Sequence, residues 1–281
     1  MILSVASGKG GTGKTTIAVN LALSLEGDHP VQFLDCDVEE PNAQFFLKPQ
    51  ILKRQPVFVK VPELDKERCT FCGKCSKICA YNALAVLKDD VLIFPELCHG
   101  CGGCTLLCPE SALREKEWKI GILEFGHRDT IDFIHGKLDI GQAMSPPVIR
   151  ALKEHRDPSR IVIIDAPPGT SCPVVESVKG SHFSLLVTEP TPFGLNDLQL
   201  AAETLRLLKI PFGVIINRAD IGNSDVEDYC QMHDIPVLMT IPMDRRIASA
   251  YSEGKTIIKI LPSYKTKFID VYTKIKDLIH G

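Results

Sequence analysis

Short, mostly apolar runs recur along the chain at residues 2–6, 31–34, 161–164, 184–188, 212–216 and 237–241. Runs of that length, rich in β-branched residues, predict strands buried on both faces of a parallel sheet. Between them, residues 16–25, 194–208 and 264–279 place apolar side chains at helical spacing, and Pro146–Pro147 opens a further helix reaching about His155. The alternation predicts a doubly wound, mostly parallel α/β sheet. Two stretches break the rhythm. Residues 118–125 and 131–138 read as a strand pair across a Gly126-containing turn, and residues 57–61 read as a short strand closed by Pro62. In the last helix Phe268, Val271, Tyr272, Ile275, Leu278 and Ile279 form one stripe. That stripe is expected to pack on the sheet, the other use of such a face being to lie on a membrane.

Composition narrows the classes. The 281 residues, 44% of them hydrophobic, are enough for one large domain or two smaller ones. With 32 basic and 35 acidic residues the net charge is −3, which predicts no broad field for nucleic acid. No apolar run approaches the roughly 18 residues that span a bilayer, and Met1 leads straight into the first strand, so a cytoplasmic location is expected. Eleven cysteines are many for such a chain. In a reducing compartment they point to metal rather than disulfides.

Between the first strand and the first helix, Gly8, Lys9, Gly10, Gly11, Thr12, Gly13, Lys14 and Thr15 fit G-x-x-x-x-G-K-[ST] without a mismatch. Backbone N–H groups of such a loop, with the helix N-terminus behind them, cradle phosphates. Lys14 is expected on the β/γ-phosphates of ATP, Thr15 on Mg²⁺, and Thr16 beside them. Carboxylates sit at two strand ends, Asp35 and Asp37 after residues 31–34 and Asp165 after residues 161–164. That is where open α/β sheets bind ligands.

Lys9, a second lysine inside the loop, makes the chain resemble the deviant P-loop ATPases, among them MinD, ParA, Mrp-type carriers and the nitrogenase iron protein. The resemblance covers nearly all of the chain outside residues 62–111. It implies a homodimer with ATP at the interface, where Lys9 reaches the partner's nucleotide. It also implies that Asp37 orients the attacking water, that Asp35 lies on the metal side, and that Asp165 holds Mg²⁺. Asn217, followed by Arg218, falls on the position that reads the adenine. Cys172 follows Asp165 at the offset of a cluster-ligating cysteine in the nitrogenase iron protein. The second cysteine that family needs is missing from residues 141–147, so no third cluster is implied.

Residues 62–111 have another character. Cys69, Cys72, Cys75 and Cys79 are spaced C-x₂-C-x₂-C-x₃-C, and Cys98, Cys101, Cys104 and Cys108 repeat that spacing, the second run ending in Pro109. C-x₂-C pairs also make zinc sites, but those do not usually need the third step and the C-x₃-C. The two runs resemble a bacterial-type α+β ferredoxin with two [4Fe–4S] clusters. Ala80 stands where that family usually has a second proline. In such ferredoxins the fourth cysteine of each run ligates the other cluster. The resemblance therefore implies one cluster on Cys69, Cys72, Cys75 and Cys108, and a second on Cys98, Cys101, Cys104 and Cys79.

The whole is expected to be a P-loop ATPase domain, residues 1–61 and 112–281, interrupted by a ferredoxin domain at 62–111. The implied function is slow ATP hydrolysis coupled to electron transfer or metal-cofactor assembly on a protein partner, without nucleic acid or stable membrane insertion. An Mrp-like iron–sulfur cluster carrier and a MinD-like positioning ATPase are the alternatives.

Overall fold

The computed structural model describes residues 1–280. Its strands are β1 (Ile2–Ala6), β2 (Val31–Asp35), β3 (Gln50–Leu64), β4 (Leu84–Val86), β5 (Val91–Ile93), β6 (Leu113–Arg128), β7 (Ile131–Leu138), β8 (Ile161–Asp165), β9 (Phe183–Thr188), β10 (Phe212–Asn217) and β11 (Val237–Ile241). Among the described residues, nine of them form one sheet in the order β11-β10-β9-β1-β8-β2-β7-β6-β3. Every pair from β11 to β7 is parallel. The β7–β6 and β6–β3 pairs are antiparallel.

The central strands β2, β8 and β9 are buried at every position, because helices cover both faces. On one face the helix Lys14–Leu25 lies in the core against Phe268, Val271 and Ile275 of the helix Ser263–His280. Ten residues of Lys14–Leu25 are buried, so it is a core helix wrapped all round. On the other face, Pro146–Lys153, Cys172–Val178 and Pro192–Leu207 pack on alternate residues of the same strands.

The strand expected at residues 57–61 is longer and does not stop at Pro62. It runs from Gln50 to Leu64 and pairs with β6 along its whole length. It lies at the sheet edge, where Pro56 and Pro62 have no outer neighbour that needs their missing N–H groups. The ribbon therefore crosses the boundary expected at 61/62, while β6 begins at Leu113, just past the one expected at 111/112. At its tip, residues 65–112 carry the β4–β5 hairpin and two short helices, Lys74–Ile78 and Gly103–Leu106. They share a small core of Ala83, Leu84, Val91, Cys104 and Leu113.

Among the described residues no helix is long and apolar enough to cross a membrane. The stripe of the last helix is spent on the core, with Phe268 fully buried. Phe268→Ala is therefore expected to cost about 3–5 kcal/mol, read by denaturant unfolding. A loss below about 1 kcal/mol would show that this helix does not share the core.

Candidate nucleotide site and cysteine cavities

The loop after β1 opens onto a cavity of about 430 Å³, lined by Gly10, Gly11, Gly13, Lys14, Thr15 and Thr16 on one side. Asp37, just past the end of β2, and Asn217 and Arg218, at the end of β10, face it as well. Gly13 has φ 96°, and a Cβ there would lie 2.6 Å from the Asn217 amide nitrogen; both facts require glycine. That amide donates to the Thr12 carbonyl at 2.8 Å, and its oxygen accepts from the Arg218 N–H at 3.0 Å. Asn217 thus fixes the loop floor as well as facing the cavity. Lys14 is 6% exposed.

Lys9 stands apart from this lining. Its Nζ lies 3.9 Å from a Glu189 carboxylate oxygen, and the other oxygen of that carboxylate takes the Arg218 guanidinium at 2.5 Å. Gly8, just before it, packs so closely on the helix Pro192–Leu207 that a Cβ would collide with the Asp197 carbonyl. The loop base is rigid, and Lys9 is held by one long ion pair.

Asp35 and Asp165 are opposite each other in register on β2 and β8 and are both buried. Their environments differ. Asp35 spends one oxygen on the Asp37 N–H (3.2 Å) and the other on the Ala43 N–H (3.1 Å), so it organises residues 36–43. Neither oxygen of Asp165 has a hydrogen-bond partner. The Thr15 hydroxyl lies near enough to ease the Asp165 charge without bonding to it. Burial pushes both carboxyls up, Asp35 further through the Asp165 charge and Asp165 further through Asp37, while Lys14 opposes the rise at Asp165. Asp37 is pushed up to about 6, again by burial and against Lys14. A buried carboxylate with two free oxygens beside a threonine hydroxyl fits a divalent cation, which supplies what the protein withholds.

The cysteines gather into two cavities. Cys69, Cys72, Cys75 and Cys108 line one, among Leu64, Phe71 and Leu113. Cys79, Cys98, Cys101 and Cys104 line the other, beside Lys60, Pro62 and Glu115. In each cavity three thiols come from one run and the fourth from the other. Backbone N–H groups of Phe71, Ala83, Gly100 and Ala112 point at Cys69, Cys79, Cys98 and Cys108 sulfurs, at 3.3–3.5 Å. Burial pushes the Cys75, Cys98 and Cys104 thiols up, and neighbouring cysteines of the same cavity add to it. Among the described residues no three His, Cys, Asp or Glu side chains converge on the position of a single ion. The thiols ring a space instead, and a four-thiol donor set of this kind fits a cluster. Cys172 is exposed at the first residue of the helix Cys172–Val178.

Two features escaped the sequence reading. Opposite the phosphate loop, Met243, Ile247, Ala248 and Tyr251 form a largely apolar wall of the nucleotide cavity, suited to a planar base. Asp244, which also lines it, caps the helix Arg245–Ser252 by accepting from the Arg246 N–H at 2.8 Å. Its position just past β11 was the available signal. In the tip, the rings of Tyr81 and His99 stack at 3.3 Å beside the second cysteine cavity, a pairing no spacing rule announces.

Residues 3–257 match the CobQ/CobB/MinD/ParA nucleotide binding domain. The chain is 30% identical over 283 residues to an uncharacterized protein of Methanocaldococcus jannaschii, covering 99% of this chain and 98% of that one. It is 24% identical over 284 residues to a cytosolic Fe-S cluster assembly factor Nubp2 homolog of Anopheles gambiae, covering 94% and 91%. The cell division ATPase MinD of Pyrococcus furiosus shares its fold with a TM-score of 0.61 at 20% identity, covering 99% and 98%.

The two lysines separate in experiment. Lys14→Ala is expected to abolish nucleotide binding, since it removes the buried cation of the loop. Lys9→Ala is expected to keep most binding and to lose ATP-dependent dimerisation and hydrolysis. Sedimentation and turnover with Mg·ATP check both, and an undiminished dimer with normal turnover in the Lys9 variant would reduce Lys9 to a solvated loop residue.

Proposed function

We propose, for a chain that belongs to the CobQ/CobB/MinD/ParA nucleotide-binding family, an ATP-driven dimer cycle coupled to iron–sulfur chemistry on a protein partner. Backbone N–H groups of residues 10–15 and the Lys14 ammonium hold the phosphates. Thr15 and Asp165 hold Mg²⁺, and Asp35 acts one step back by holding residues 36–43 in place. Asp37 faces the γ-phosphate end and orients the attacking water; burial, opposed by Lys14, raises its carboxyl to about 6, which leaves it an acceptor at neutral pH. Lys9 leaves Glu189 and crosses to the nucleotide of a second copy. The slot by Met243 and Tyr251 receives the adenine, with Asn217 at its inner edge.

The observation that carries the rest of the reading is the pair of four-thiol cavities at the tip of a ribbon continuous with the ATPase sheet. In this reading each cavity holds one [4Fe–4S] cluster, and the clusters supply one-electron chemistry. The cysteines fix the number and place of the redox centres, and the N–H groups on their sulfurs stabilise the thiolate form. The destination is a partner that receives electrons or has its metal cofactor assembled.

A second reading, a carrier that hands over clusters, is favoured by the Nubp2 homolog, whose name is that of a cluster assembly factor. Against it, no cysteine follows Cys230, so the C-terminal region lacks a C-x-x-C pair for a labile bridging cluster.

Anoxic preparations are expected to contain about eight iron atoms per chain with matching sulfide; stoichiometric zinc with negligible iron would overturn the cluster assignment. Cys79→Ser is expected to damage the cluster of Cys98, Cys101 and Cys104 and to leave the other closer to intact, read by electron paramagnetic resonance.

Coupling is tested by anoxic redox titration and stopped-flow reduction without nucleotide, with ADP, and with a non-hydrolysable ATP analogue. A coupling of roughly 1–3 kcal/mol corresponds to a potential shift on the order of 40–130 mV. The expected result is such a shift or a changed reduction rate with the ATP analogue. Identical potentials and rates in all three states would leave the clusters structural.

A further inference from the structure

The ribbon β3–β6 has two halves with different support. From Gly121 to His127, β6 pairs with both β3 and β7; from Leu113 to Lys119 it pairs with β3 alone. The change falls on an irregularity. Val57 pairs with Gly121 and Phe58 with Lys119, which leaves Ile120 without a partner. Such a bulge bends a strand and raises its twist.

The inner half is clamped. Glu124 of β6 is 2% exposed and takes Arg54 of β3 at 2.6 Å, His135 of β7 at 2.6 Å and Lys137 of β7 at 2.7 Å. These partners outweigh burial and hold its carboxyl down at about 2. One buried charge thus ties three strands together. Beyond Ile120 there is no such clamp, and the seven residues from Phe58 to Leu64 form an arm of about 20 Å.

The bulge is wired to the nucleotide cavity. The Ile120 carbonyl accepts from the Asp139 N–H at 2.8 Å, and the preceding Leu138 N–H donates to the Val38 carbonyl at 2.9 Å. Val38 follows Asp37, in the segment whose position Asp35 fixes. The Ile120 side chain is buried in the same core cluster as Val38 and Val148. Two hydrogen bonds and one packed cluster thus separate the residue facing the γ-phosphate end from the point where the ribbon leaves the sheet.

We propose that the Ile120 bulge is a hinge, and that residues 36–42 set its angle, so the nucleotide state positions the cysteine-bearing tip. This rests on nucleotide binding at the loop of residues 8–15. A clamped root makes movement at the bulge appear at the tip instead of dissipating in the sheet. The bistable element is the 36–42 segment, which a γ-phosphate biases toward one of two positions.

The only tryptophan, Trp118, lies on the free half two residues from the hinge and is 36% exposed, so it reports on the ribbon. Acrylamide quenching of its emission is measured on the full chain without nucleotide, with Mg·ADP and with Mg and a non-hydrolysable ATP analogue, and nucleotide affinity is measured alongside. The expected result is a quenching constant that differs between ADP and the ATP analogue. Asp139→Pro, which removes the donor to Ile120, is expected to abolish that difference with affinity unchanged. Ile120→Ala, which takes its side chain out of the core cluster it shares with Val38, tests the hinge should the proline variant fail to fold, and is expected to diminish the difference. Lys119→Gln, which removes an exposed ion pair to the Asp139 side chain (2.8 Å) but keeps its N–H, is expected to retain it. A chain that binds nucleotide yet quenches identically in every state overturns the hinge alone. A chain that binds no nucleotide overturns the underlying reading and the hinge with it. A difference that survives in Asp139→Pro or, where that variant does not fold, in Ile120→Ala, or one lost equally in Lys119→Gln, also ends the proposal.

Discussion

Two carboxylates buried side by side at the ends of β2 and β8 are the constraint around which this molecule is arranged. Sheet order makes them neighbours, and parallel packing from both faces removes their water. Two charges so placed are costly unless something compensates them. The chain compensates one, by giving both Asp35 oxygens a backbone N–H, and leaves the Asp165 oxygens bare. That asymmetry divides the labour. One carboxylate builds the loop that faces the ligand, and the other is left for a cation. Lys14, buried between the phosphate loop and these strands, is the fixed part of the counter-charge, and in the proposed reading a bound metal would be the variable part.

The same rows of the sheet explain why the extension is attached where it is. Two residues inward from the carboxylates, the cross-strand row reads Ile163, Phe33, Phe133 and Gly126, all apolar. The row of the carboxylates reads Asp165, Asp35, His135, Glu124 and Arg54. On the other side of β8 the neighbours are Val5 and Leu185. Ionisable residues therefore run from the candidate cation site toward the ribbon and not away from it. A polar row in a dry sheet holds its strands in one register, because a one-residue slip would bury several charges without partners.

Much of this was legible in the sequence. The central strands announce themselves as apolar runs because both their faces are covered, and the phosphate loop because its glycines and lysine have fixed spacing. The two cysteine runs follow a rule of spacing, and the structure gathers their thiols into two sets of four. The ribbon was not legible. Pro62 reads as a stop, yet an edge strand tolerates it, and exposed residues such as Lys53, Arg54 and Lys60 carry no core signal. Asp35 and Asp165 also look alike as strand-end aspartates; what separates them is the direction of two loop N–H groups, which no residue type encodes. The wall at Met243 and Tyr251 was missed because it comes from a loop and helix distant in sequence from the phosphate loop.

The interlocking of the cysteines bears on which function the tip serves. Each cavity draws three thiols from one run and one from the other, so neither can open without disturbing the other. Six of the eight side chains are buried or half-buried, and only Cys72 and Cys101 are exposed. The tip has a core of only a few apolar residues, too small to hold 48 residues together unaided. A metal group bound there would therefore contribute to the folding of the tip itself. Cargo that is handed on must leave without unfolding its carrier. Thiols whose occupancy would also decide whether their domain is folded suit a resident centre better than a cargo.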